Sequence, residues 1–271
     1  MIGVFDSGLG GLTVVRRIRE RLPESDIVFL ADQAHVPYGD RANDDLYRLL
    51  DANLAWLDGH GAEAIVMGCN TSCAIADAFG WPTTRAEVFD LIDSATIALQ
   101  HVGAKRIGVV ATAATVRSGA YGRRIRNAIH ESEVWEVAAP ALVPLVEAGK
   151  TDTAEAQEAV DAVCAHLPPG LDAVVLACTH YPLLDASFAH ALGDRVLRID
   201  PAFVQAQRVA DYVERNVVAE EDGTIRYVTS GAFEPFRRNI AALMGETDPD
   251  VATISTIADA NAGRRSRFTS L

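Results

Sequence analysis

At 271 residues the chain can bury a sizeable core, as one large α/β domain or two smaller ones, and two lobes is the expectation. With 49% hydrophobic and 23% charged residues, neither disorder nor a fibrous repeat fits. A net charge of −13 argues against a nucleic-acid or anionic-membrane partner, because phosphate backbones are held by clustered Lys and Arg; the one basic cluster, Arg264-Arg265-Ser266-Arg267, reads as a solvated tail.

Met1 runs directly into an expected strand, Ile2–Phe5, leaving no leader of the secretory kind, and no apolar run approaches membrane-spanning length. The four cysteines, Cys69, Cys73, Cys164 and Cys178, are too few for a disulfide scaffold and include no C-x-x-C pair, so free thiols in a reducing cytoplasm is the natural reading. After the first strand, D-S-G-L-G-G leads into an amphipathic helix marked by Leu12, Val15, Ile18 and Leu22 and closed by Pro23. The turn is a poor dinucleotide fingerprint, since Thr13 stands where a third glycine is needed, and no G-K-S/T phosphate loop occurs. Asp6, at the strand's exit, suits either a cap for that helix or a proton relay to a nearby thiol.

A second strand, Ile27–Ala31, runs into D-Q-A-H-V-P-Y-G-D-R, a turn-rich loop carrying Tyr38. A helix with Leu46, Leu49, Leu50, Leu54 and Leu57 on one face ends near Gly59, the strand before Cys69 follows, and then a helix over Ala74–Phe79. Thr83–Asp93 is ambiguous: Val88, Phe89, Leu91 and Ile92 suit a strand that Asp90 interrupts. A helix at Ser94–Val102 precedes the strand Arg106–Ala111, which opens the second lobe. That strand ends in a small-residue loop, T-A-A-T-V-R-S-G-A-Y, whose Thr112, Thr115 and Ser118 can bond a carboxylate. Glu147, within Pro140–Gly149, reads as an ordinary exposed carboxylate. A helix at Thr153–Leu167 with Cys164 as core filler, the strand before Cys178, a strand at Val196–Ile199 and a helix at Phe203–Val213 complete the lobe. Thr224–Val228 and a helix at Glu234–Met244 follow. Strand and helix alternating throughout point to parallel sheets and the α/β class.

Two stretches share one design: E-A-I-V-M-G-C-N-T at Glu63–Thr71 and D-A-V-V-L-A-C-T-H at Asp172–His180. In each, an apolar run that suits a buried parallel strand stops at a cysteine, and hydrogen-bonding residues follow. Ligands bind at such strand ends, and a helix N-terminus beside a thiol can lower its pKa. Either cysteine alone reads as a small buried hydrophobe. Their common context argues for chemistry. Two thiols facing one substrate from two lobes suit inversion of a carbon centre, one as thiolate removing a proton and one as thiol returning it to the other face. His180 and Asp6 are the available tuning partners, and Asn70, Thr71 and Thr179 can hold a carboxylate and an ammonium. A Cys-His hydrolase is the rival reading and leaves the second cysteine unused.

The motifs D-S-G-L-G-G (Asp6–Gly11), D-Q-A-H-V-P-Y-G (Asp32–Gly39), C-N-T (Cys69–Thr71), S-G-A-Y (Ser118–Tyr121), V-P-L-V-E (Val143–Glu147) and C-T-H-Y-P-L-L (Cys178–Leu184) run in order along the chain from Ile2 to about Met244. Together they resemble the cofactor-independent aspartate/glutamate racemase family, and within it the glutamate racemases. The resemblance implies an α/β fold of two similar lobes, residues 1–95 with 208–271 and residues 96–207. Each would be a mainly parallel sheet flanked by helices, with the active site between them. It implies that Cys69 and Cys178 are the acid/base residues, working with no cofactor and no metal, that Asp6 assists Cys69, that His180 assists Cys178 and that Glu147 orients His180. The matching substrate-binding positions are Asp6, Ser7, Pro37, Tyr38, Gly39, Asn70, Thr71, Thr115, Thr179 and His180. The implied activity is racemisation of L- to D-glutamate for peptidoglycan, in the cytoplasm. The partner would be a small-molecule amino acid, with neither nucleic acid nor membrane and with a homodimer as the family's common assembly. Aspartate or another amino acid as substrate, and a non-catalytic ligand-binding regulator, stay open. The chain departs from the family pattern at His35 (usually arginine), Ala42 (usually a hydroxyl residue) and Ser72-Cys73 (usually A-S). It departs again at Thr83–Ser94, where an apolar strand usually runs into E-P-G. That last segment borders the cleft in the family, so the expectation is that it bears on substrate preference.

Overall fold

The alternation of strand and helix is carried through in the computed structural model, which describes residues 1–216 and 222–254. The basic cluster Arg264-Arg265-Ser266-Arg267 lies outside the described residues. The chain opens with β1 (Ile2–Asp6), α1 (Leu12–Arg21), β2 (Ile27–Ala31), α2 (Asn43–Gly59), β3 (Ala64–Met67), α3 (Asn70–Phe79), β4 (Glu87–Phe89) and α4 (Leu91–Val102). A second run follows: β5 (Arg106–Ala111), α5 (Ala113–Ser118), α6 (Ala120–Ala128), β6 (Glu133–Ala138), α7 (Leu142–Glu147), α8 (Ala154–Cys164), β7 (Ala173–Ala177), α9 (Asp185–Leu192) and β8 (Leu197–Ile199). The chain then returns through α10 (Pro201–Asn216), β9 (Ile225–Thr229), α11 (Phe233–Met244) and β10 (Asp250–Thr253).

Two sheets result, both wholly parallel: β10-β9-β2-β1-β3-β4 in one lobe and β6-β5-β7-β8 in the other. The central strands β1, β3 and β7 are buried along their whole length, which is why they read as unbroken apolar runs: helices cover both faces. In the first sheet β1 lies between β2 and β3, so the order reverses at the β1/β3 boundary; in the second it reverses at β5/β7. Parallel sheets bind ligands in the crevice outside the strand ends at such reversals. Asp6 and Cys69 leave the first reversal, and Thr112 and Cys178 leave the second. One continuous apolar core joins the lobes, running from Phe5, Met67 and Leu91 to Ile107, Tyr121 and Val175. On the return helix, the fully buried Gln205 donates Nε2 to the carbonyls of Met67 (2.9 Å) and Phe89 (2.8 Å), tying α10 to the ends of β3 and β4.

Several expected elements shift for local reasons. The ambiguous segment is both a strand and a helix: β4 ends at Phe89, Asp90 turns from breaker to cap by accepting the Asp93 N–H at 2.9 Å, and α4 starts at Leu91 rather than Ser94. Helix α3 begins at Asn70, not Ala74, so the polar residues after Cys69 form its first turn. The small-residue loop after β5 is helical: Thr112 caps α5 through the Thr115 N–H, and Gly119, at φ 63°, ends it in the left-handed conformation. No helix among the described residues is long and apolar enough to cross a membrane.

Candidate active site

The site is assembled from strand exits. Asp6 ends β1 and is buried, its Oδ1 accepting the Ser7 N–H at 2.7 Å and its Oδ2 the Gly11 N–H where α1 begins. The carboxylate thus closes the glycine-rich turn as a cap does, and it also faces the cavity. Glycine is required in that turn because the second lobe comes against it: a Cβ at Gly10 would sit 2.6 Å from His180 Nδ1. The D-S-G-L-G-G stretch is therefore a contact between lobes, not a phosphate cradle.

Across β1, the chain leaves β3 through Gly68, whose N–H binds the Phe5 carbonyl at 2.6 Å, and presents Cys69 as the N-cap of α3. The Cys69 thiol donates to Ser7 Oγ at 3.5 Å. In the second lobe Cys178 follows β7 directly, with its Sγ 3.8 Å from His180 Nδ1. The other imidazole nitrogen, Nε2, lies 3.3 Å from Glu147 Oε1 at the end of α7. Glu147 is half-exposed, as its residue type suggests, yet it is the group that meets His180.

Both cysteines open on one cavity of about 420 Å³ between the lobes. Asp6, Ser7, Pro37, Tyr38, Gly39, Asn70, Thr71, Glu147, Thr179 and His180 share its wall. Thr115 does not. It is fully buried behind the wall, 3.5 Å from Thr71 Oγ1, and Thr112 takes the exposed place, its Oγ1 at 3.1 Å from Thr71 and 3.0 Å from Thr115. Val36, Pro140, Val143 and Pro144 supply an apolar stretch of the wall; three of them lie within the quoted motifs, but none was among the expected substrate-binding positions. No residue from 83 to 94 reaches the wall, so the divergent segment does not border the cavity, contrary to expectation. Tyr38 is anchored from behind by donating to Asp32 Oδ2 at 2.6 Å. Asp32 also meets His35, the residue at the family's usual arginine position, at 2.8 Å. Bonds cross between the lobes at Thr13 to the Thr179 carbonyl (3.2 Å), Arg117 to the Gly39 carbonyl (3.1 Å) and Tyr121 to Asn70 (2.5 Å).

The two thiols sit in different fields. Burial pushes the Cys69 thiol up to about 11, the Asp6 charge adds to the rise, and bonds from Ser7 and Ser72 oppose it. The helix N-terminus expected to lower this thiol's pKa is outweighed. Burial also raises the Asp6 carboxyl above its usual range, against the His180 charge and the Gly11 and Ser7 N–H groups. Burial alone would lower His180. Its bonds to Cys178 and Glu147 and the negative charges of Cys178 and Asp6 overcome that and hold it at about 10. At neutral pH Cys69 is therefore a thiol, and Cys178 stands beside an imidazolium. Among the described residues no group of three or more His, Cys, Asp or Glu side chains is placed to hold a metal ion.

The family model for Asp/Glu/Hydantoin racemase matches residues 2–209. The glutamate racemase of Desulforudis audaxviator is 37% identical over 265 residues, covering 93% of this chain and 97% of the relative. The crystal structure of a glutamate racemase isoform from Bacillus anthracis superposes with a TM-score of 0.88 at 28% identity, covering 94% of this chain and 97% of the other. That of Francisella tularensis glutamate racemase in complex with D-glutamate does so at 0.83 and 25%, covering 96% and 98%. With two like-built parallel lobes, a cysteine at each reversal and a shared cavity, the chain belongs to the Asp/Glu/hydantoin racemase family.

Proposed function

We propose that this protein racemises glutamate by two-thiol acid/base chemistry, Cys69 and Cys178 serving opposite faces of the α-carbon. The observation that carries the reading is the pair of strand-end cysteines, one from each lobe, opening on one cavity. The site's asymmetry supports it: inversion needs one sulfur as acceptor and the other as donor, and here one thiol is held protonated while the other lies beside an imidazolium. From L-glutamate, the Cys178 thiolate takes the α-proton and the electron pair passes toward the α-carboxylate. The Cys69 thiol then delivers its proton to the other face, giving D-glutamate. Cys178 ends protonated and Cys69 ends as thiolate, the state that runs the reverse reaction. Exchange with solvent, assisted by His180 and Asp6, resets the pair. Glu147 orients His180 through Nε2.

Glutamate as substrate is supported by the names of the relatives and by the D-glutamate in the Francisella structure. The first turn of α3 offers backbone N–H groups to a carboxylate, and Ser7, Thr71, Thr112 and Thr179 offer hydroxyls. Supply of D-glutamate for peptidoglycan is the use that follows. We divide the chain into lobes at residues 1–95 with 208–271 and residues 96–207; in support, β1–β4, β9 and β10 form one sheet and β5–β8 the other. The test is enantiomer-resolved turnover of L-glutamate and L-aspartate by the purified protein with no added pyridoxal phosphate. Conversion of glutamate to D-glutamate is expected; preference for aspartate would overturn the substrate, and turnover of neither would leave a binding protein.

A further inference from the structure

The S-G-A-Y motif ends in a tyrosine that none of the steps above uses. Tyr121 is fully buried on α6 of the second lobe, and its hydroxyl lies 2.5 Å from Oδ1 of Asn70, in the first turn of α3 in the first lobe. Burial first, then the negative charges of groups such as Cys73 and Asp90, holds the phenol well above its ordinary range. It therefore keeps its proton, and it has one proton to donate. A carboxamide has an acceptor end and a donor end, and here the acceptor end is taken. The donor, Nδ2, has no partner among the described residues and belongs to a residue on the cavity wall. Turned the other way, the same amide would present a lone pair to an anionic carboxylate.

We propose that Tyr121 is a positioning residue that reaches across from the second lobe, sets the amide orientation of Asn70, and so aims an N–H at the carboxylate of the bound amino acid. The inference rests on the reading of the cavity as an amino-acid racemase site. Because the bond joins the lobes, the donor is in place only when they stand at the separation that forms the cavity.

Steady-state turnover of both glutamate enantiomers by wild type, Tyr121→Phe, Asn70→Ala, Asn70→Asp and the Tyr121→Phe/Asn70→Ala double variant tests it. Tyr121→Phe removes one oxygen and should raise KM about tenfold with kcat changed less than about threefold. The double variant should be no worse than Asn70→Ala, because no amide is left to orient. Asn70→Asp keeps the acceptor for Tyr121 and replaces the N–H by a charged oxygen, so its KM should exceed that of Asn70→Ala. A bond that only holds the lobes together would leave Asn70→Asp near wild type, and that result overturns the inference. So does a wild-type KM in Tyr121→Phe, or penalties that multiply in the double variant. Should Tyr121→Phe fail to fold, the comparison of Asn70→Asp with Asn70→Ala decides, since both retain Tyr121. A wild type that does not turn over glutamate overturns the reading of the site and this inference with it; active wild type with either contrary pattern overturns the inference alone.

Discussion

Cys69 and Cys73 lie about one turn apart at the start of α3, and only Cys69 opens on the shared cavity; Cys73 lines a smaller pocket with Asp77, Trp81 and Asp90. Cys73→Ser should keep racemisation within about threefold of wild type, whereas Cys69→Ser should lose about 10²-fold or more in both directions, since a hydroxyl is a far weaker acid than a thiol. Turnover of each enantiomer measures both, and a Cys73→Ser enzyme as damaged as Cys69→Ser would show that the cavity assignment is wrong. His180 sets a pH dependence. Its folded pKa, about 10, lies above the ordinary 6.5, so the native state holds the proton more tightly. The stability it contributes is fully present below pH about 6.5 and is lost as pH rises through about 10. Thermal unfolding followed from neutral pH to about pH 10 should show a decline that is smaller in His180→Gln; parallel curves would contradict it. The two cysteines were legible because each ends an apolar run at a polar stop. The high thiol pKa of Cys69 was not, because it depends on burial and on Asp6, far away in sequence.

At the scale of elements, the helices whose apolar residues recur on one face, such as α2, were legible to within a few residues, since packing and pattern agree there. Others were hidden by composition. The α5 segment, A-A-T-V-R-S, carries only one large apolar residue, and its helical state rests on the Thr112 cap and on Gly119. Strand β6 is half-buried, interrupted by Glu133 and Glu136, and lies at the edge of its sheet, so it gave no apolar run to notice. The departure at Ala42 has a local consequence: it occupies the N-cap of α2 in an extended conformation, with no side chain to accept an N–H. Ala42→Ser should stabilise the protein by about 1 kcal/mol. Because Ala42 is exposed and off the cavity wall, turnover should not change. Denaturant unfolding checks the first and steady-state rates the second; an unchanged midpoint would mean that α2 draws nothing from its cap.

For the whole molecule, the decisive feature is that β2-β1-β3-β4 of one lobe and β6-β5-β7-β8 of the other share one strand order and meet so that their reversal points face one cavity. The repeated cysteine units hinted at this, but the strand order could not be read, because parallel pairings join segments tens of residues apart and leave no local mark. The contact between lobes is tight at Gly10. A methyl group there would meet His180, so Gly10→Ala should lower kcat/KM by about tenfold or more through misplacement of Thr179 and His180. Kinetics comparable to wild type would mean that the lobes stand further apart in solution. The central claim, that separate thiols serve the two faces of the α-carbon, is tested most directly by proton NMR of L-glutamate turned over in deuterated water. The expected result is that newly formed D-glutamate carries deuterium at the α-carbon while the remaining L-glutamate stays protiated early in the reaction. Deuterium entering the remaining L-glutamate as fast as D-glutamate forms would contradict it, because a single group would then be serving both faces.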